Sequence, residues 1–166
     1  YTGGTNRVSE VDKLHKSQPQ IVIGTPGKIV DLAVKENILV LDVRTQKDFI
    51  DSHIPGSLFI GLNGGFAPWV GALISDIKQP ILLVVPEGKS EEAVTRLARV
   101  GYDYALGYLE GGMEAWIAAG KISDKLTSIS SLEFEQRTKK QTLSVLDVRK
   151  KGEYDTMHLK LDGLQH

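Results

Sequence analysis

From residue 38 to residue 119, short apolar runs alternate with amphipathic stretches. Residues 38–43, 57–60, 81–85 and 104–108 have the length and aliphatic content of strands. The run at 81–85 reads ILLVV, apolar at every position, which predicts a parallel strand covered on both faces. Between these runs the spacing predicts helices at 46–52, 68–77, 90–100 and 112–119. The third carries the fullest signal: Ser90 is placed to cap it, Glu91 and Glu92 suit its positive end, and Ala93, Leu97 and Val100 form an apolar stripe. Alternation of this kind predicts an α/β fold, a central parallel sheet with helices on both faces. Val40, Leu41, Val43, Leu82, Leu83, Val84, Leu97, Leu109 and Trp116 are its expected core.

A second pattern lies over the first. Residues 40–54 read VLDVRTQKDFIDSHI and residues 145–159 read VLDVRKKGEYDTMHL, at a constant offset of 105. Val40 to Arg44 recur as Val145 to Arg149, His53 falls on His158, and Asp48 and Phe49 fall on Glu153 and Tyr154. The lead-ins agree in type. Residues 21–23 are a strand candidate, Thr25 an N-cap, and Pro26 occupies the first helical position. At the same offset Ser130 caps a helix running through Phe134 and Arg137. The expectation is one complete α/β unit and an incomplete second one that stops at His166, opposite Gly61, with residues 121–128 as linker.

Composition narrows the chemistry. Twenty Lys and Arg against 21 Asp and Glu leave a net charge of -1, so no bulk attraction to nucleic acid or anionic lipid exists. No apolar run approaches the roughly 20 residues of a membrane span. The opening YTGGTNR is neither a signal peptide nor a start with Met, which implies a cytoplasmic piece of a longer protein. The chain has no cysteine. Disulfides, thiolate metal sites and cysteine nucleophiles are thereby excluded. His15, His53, His158 and His166 are too scattered to suggest a metal site, and GLNGGF around Asn63, Gly64 and Gly65 lacks the Lys and Ser/Thr of a phosphate loop. Neither metal nor cofactor is expected. Asp42 and Arg44 read as a structural pair tying a strand end to the next helix, and His53 and His158 as hydrogen-bonded structural residues.

DVRTQKDFIDSHIPGS from Asp42, followed by LEGGMEAWIAAG from Leu109, resembles the rhodanese-like fold across residues 38–122. DVRKKGEYDTMH from Asp147 resembles the start of a second such domain. Tandem domains of this wording are similar to the rhodanese modules of metallo-β-lactamase-fold hydrolase fusions. The resemblance implies a nucleophilic Cys in a loop after the fourth strand, wrapped round the transferred sulfur. Here that stretch holds Pro86, Glu87, Gly88, Lys89 and Ser90, a vestige of such a loop. Pro86 supplies neither sulfur nor an N–H donor, and Glu87 adds negative charge where an anion would sit. Sulfur transfer is therefore not expected.

The first 37 residues resemble a different family, the DEAD-box RNA helicases. Gly3 and Gly4 match that family's GG element, and Thr25, Pro26, Gly27 and Lys28 match TPGR with Lys for Arg. The resemblance implies contacts to an RNA backbone. The ATP-binding GKT, the DEAD box and SAT are missing from this sequence, so it supports no ATP hydrolysis. The segment holds five Lys or Arg and four Asp or Glu, which disfavours RNA as a partner. The expected organisation is a helicase-like segment at 1–37, of which 21–37 also serves as lead-in strand and helix. A rhodanese-like domain at 38–122 follows, then a linker and truncated second domain at 123–166. The leading expectation is a non-catalytic binding or scaffolding module whose partner is another protein or further domains of a parent protein. An RNA-contacting helicase fragment and an accessory part of a metallo-hydrolase are the alternatives. Self-association through the unpaired tail strand is a further expectation.

Overall fold

The computed structural model describes residues 22–24, 37–162 and 164–166. The chain divides into two compact units, Tyr1–Leu126 and Thr127–His166. In the first, the elements run β1 (Val22–Gly24), β2 (Leu39–Asp42), α1 (Gln46–Asp51), β3 (Leu58–Phe59), α2 (Phe66–Leu73), β4 (Ile81–Val84), α3 (Ser90–Ala98), β5 (Ala105–Leu109) and α4 (Gly112–Ala118). Their strands form one parallel sheet in the order β1-β5-β4-β2-β3. The strand with no polar residue takes the middle. All four residues of β4 are buried, because β2 and β5 flank its edges and side chains cover both faces.

Side chains alternate across the sheet as strand geometry requires. On one face Leu41, Val43, Ile81 and Leu83 pack with Phe66 and Val70 of α2 and with Ala93 and Leu97 of α3. On the other, Val40, Leu82, Val84 and Leu109 pack with Met113 and Trp116 of α4. All nine residues expected in the core are buried. The last helix is entered through Gly111, at φ +70°, where a Cβ would stand 2.7 Å from that of Ala115. Only glycine fits there.

Three local expectations are corrected. The helix expected at 68–77 runs from Phe66 to Leu73, because the turn through Gly64 (φ +96°) delivers the chain early, and Pro68 falls in the first turn, where its missing N–H costs nothing. Ser90 does not cap α3. The Lys89 amide donates to the Pro86 carbonyl (3.1 Å) and the Lys89 carbonyl accepts from Ala93 (3.0 Å), so the helix begins one residue before a Ser90 cap would act. The linker expected at 121–128 is largely part of the first unit. His53 and Asp124 exchange both backbone hydrogen bonds (2.8 and 2.9 Å), the Leu126 amide donates to Ile50, and the Trp116 indole donates to the Ile122 carbonyl (2.8 Å). Thr25 and Pro26, expected to open a helix, lie outside the described residues.

The second unit contains α5 (Ser131–Lys140), β6 (Val145–Leu146), α6 (Lys151–Thr156) and β7 (Leu164–Gln165). Ser130 caps α5 through the Glu133 amide (3.2 Å), and Glu133–Arg137 and Glu135–Lys139 pairs run along its surface. The two strands form a small parallel sheet of their own.

Candidate functional site: the loop after the central strand

In parallel α/β sheets, ligand chemistry sits beyond the carboxyl ends of the strands. Here β4 delivers its chain into Val85 and Pro86, both half-buried, and then into exposed Glu87, Gly88 and Lys89. The Pro86–Lys89 hydrogen bond closes a four-residue turn, with Gly88 at φ +70°. The backbone therefore folds onto itself and enters α3 at once. Lys89, the one cation of this turn, is drawn to Glu92 at 2.9 Å, and that contact holds the Glu92 carboxyl below the usual carboxylate range.

The other cations near the strand exits are engaged in the same way. Asp42 ends β2 beside Val84 and is fully buried. Arg44 closes on it, with Nε at 3.0 and 3.1 Å and Nη2 at 2.6 Å from the carboxylate oxygens. The same Nη2 donates to the Ser52 carbonyl at 2.7 Å. Arg44 thus ties the strand end to the end of α1, the structural role expected of it. Arg96 of α3 donates to the Leu62 carbonyl (2.6 Å) and lies over the Phe66 ring, 5.1 Å from its centroid. That brace was not legible in the sequence, where an arginine on an amphipathic helix looks like any solvated one. Each of these three cations makes a side-chain hydrogen bond within the fold.

His53 is buried, its Nδ1 2.8 Å from the Phe49 carbonyl and its ring stacked on Phe49 at 4.1 Å. It is held structurally and faces no ligand group. The second unit repeats the set. Arg149 closes on Asp147 (2.6 Å) and donates to the Met157 carbonyl (2.9 Å), while His158 sits 2.9 Å from the Tyr154 carbonyl and stacks on its ring. Among the described residues no group of three His, Cys, Asp or Glu could hold a metal ion, and no helix is long and apolar enough to cross a membrane. Gly3, Gly4, Thr25, Pro26, Gly27 and Lys28, the candidate RNA contacts, lie outside the described residues.

The family model of rhodanese-like domains matches residues 25–119. The chain belongs to this family. It is 30% identical over 94 residues to the thiosulfate sulfurtransferase GlpE of Pseudoalteromonas translucida, spanning 56% of this chain and 86% of that protein. Among solved structures, the rhodanese-like domain of an Anabaena protein covers 57% of this chain and 98% of its own length, at a TM-score of 0.50 and 21% identity, which is a likeness of fold. A shorter stretch of 43 residues is 46% identical to the DEAD-box ATP-dependent RNA helicase CshB of Listeria monocytogenes. The chain spans only 10% of that helicase. Within the rhodanese-like family, this chain is one with no thiol at all. Where the family's loop is expected, Pro86 and Glu87 stand on a closed turn.

Proposed function

We propose that the first unit is a non-catalytic rhodanese-like module that serves binding or scaffolding within a larger protein. One observation carries the reading. The parallel sheet and its core are intact, yet the loop that would hold the transferred sulfur has become a tight turn led by Pro86 and Glu87, in a chain without cysteine. A thiolate is the group that carries a persulfide, and no other side chain substitutes for it. Selection for sulfur transfer would not tolerate its loss, whereas selection for a folded surface would. Residues 127–166 are read as the opening of a second rhodanese-like unit, on the identity of the VLDVR segments and the matched Asp–Arg and His–aromatic contacts. Purified protein assayed for thiosulfate:cyanide sulfurtransferase activity is expected to match a protein-free blank. Turnover that co-purifies with the chain would overturn the reading.

The RNA reading has one observation in its favour, the 46% identity over 43 residues to a DEAD-box helicase. Charge opposes it, since the whole chain carries a net -1 and phosphate recognition rests on cations. Titration with a fluorescent single-stranded RNA at low and moderate salt separates the two. The module reading expects no saturable binding at either; tight binding that weakens steeply with salt would favour the helicase fragment.

A further inference from the structure

In the first unit β2 is hydrogen-bonded along both edges, to β3 on one side and β4 on the other. The Leu39 and Val43 amides donate to the Pro80 and Val84 carbonyls, each at 2.9 Å. With that neighbour in place, Leu41 is 0% and Val43 1% exposed. Val40 to Arg44 recur without change as Val145 to Arg149, and in the second unit β6 meets β7 along one edge, where the Asp147 amide donates to the Gln165 carbonyl at 2.8 Å. Successive strand amides point to opposite edges. The Ser144, Leu146 and Val148 amides therefore face the other edge, along which no strand lies among the described residues of this unit. Leu146 is 62% and Val148 84% exposed. Beside them lies an apolar groove of about 550 Å³ lined by Phe134, Val145, Leu146, Val148, Met157 and Leu159. Asp147 and Arg149 at its margin neutralise each other.

We propose that this edge accepts an extended, uncharged aliphatic segment of another polypeptide, running parallel to β6 in the place that β4 takes beside β2. The first unit supplies the template for the occupant: Ile81 to Val84, four aliphatic residues in parallel register with Leu39 to Asp42. A second copy of this chain fits less well. Its own β4 is buried at the centre of its sheet, so only its two-residue β6 edge could pair, far short of the roughly 800 Å² per partner of a stable interface. Addition of a strand to an open edge is a common mode of peptide recognition, with main-chain hydrogen bonds supplying affinity and side-chain pockets specificity. The inference deepens the binding reading and rests on it, yet the two fail separately: sulfur transfer is read at the loop after β4, strand capture at the β6 amides.

The test uses the full chain and a peptide reproducing residues 79–88, flanked by lysines for solubility. At saturating peptide, hydrogen exchange at the Leu146 and Val148 amides is expected to slow by about tenfold or more. A spin label on the peptide's N-terminus should broaden signals near Ser144 and spare those near Arg149, the mark of parallel pairing. Val148→Lys places a charge on the groove at an exposed position, so the unit keeps its fold by circular dichroism while peptide affinity falls by about tenfold or more. Unchanged exchange at saturating peptide, an antiparallel label pattern, or protection that grows with protein concentration alone would each overturn the proposal, the last by making a second copy the occupant.

Discussion

Asp42 and Asp147 are the same residue twice, each followed two positions later by an arginine, and their surroundings assign them different weights. Asp42 is fully buried and its partner Arg44 nearly so. Removing the guanidinium strands a carboxylate in the core. Arg44→Met is therefore expected to destabilise the first unit by about 3–5 kcal/mol in denaturant titration, the usual cost of breaking a buried pair from one side. Arg149→Met, at an exposed position, should cost far less. A small effect at Arg44 would mean that its pair contributes little to the fold.

Asp147 offers a second measurement at the same scale. Its carboxyl is pulled from 3.8 to about 2, chiefly by the hydrogen bonds it accepts from Arg149. A carboxyl lowered on folding stabilises the fold at pH above its ordinary value, and that contribution fades as pH falls toward the folded value. The Asp147 carboxyl ¹³C shift should titrate with a midpoint near 2, and the Arg149 Nε–H signal should change in the same window. A midpoint near 4 would mean that the pair is not formed in solution.

Elements that bury an unbroken or strictly alternating apolar pattern were legible in the sequence. The ILLVV run is the central strand, and the period-two strands around it fall where the pattern placed them. What the sequence did not carry was non-local. The Ser90 cap was displaced by a turn bond from Pro86, and residues 124–126 were held by β-pairing to His53 and Ile50, partners more than 70 positions away in sequence. The loop after β4 was legible as a site without its nucleophile, because absence of cysteine is visible in composition; the engagement of Lys89 and Arg96 by Glu92 and the Leu62 carbonyl required the fold. The two tryptophans test the packing. Trp116 is 3% exposed against β4 and β5, whereas Trp69 on α2 is 58% exposed. Trp116→Ala should cost about 3–5 kcal/mol, and Trp69→Ala should stay within about 0.5 kcal/mol. Equal losses would contradict the assignment of α4 as the packed helix.

At the scale of the whole molecule, the two units differ in how much they bury. Leu41 and Val43 are enclosed, while their counterparts Leu146 and Val148 are largely open. The first unit should therefore stand alone. Deleting residues 127–166 is expected to leave its near-ultraviolet dichroism and its urea midpoint essentially unchanged. A deletion that unfolds residues 38–122 would show the two units to be one cooperative structure.

The account turns on a rhodanese-like sheet that presents no sulfur carrier. The most direct measurement is the intact mass of the folded protein after incubation with thiosulfate or polysulfide, followed by rapid removal of excess reagent. The account predicts a single species at the unmodified mass, with native circular dichroism. A sulfur adduct that cyanide removes would show that some group in this fold carries sulfur after all, and the module would be an enzyme.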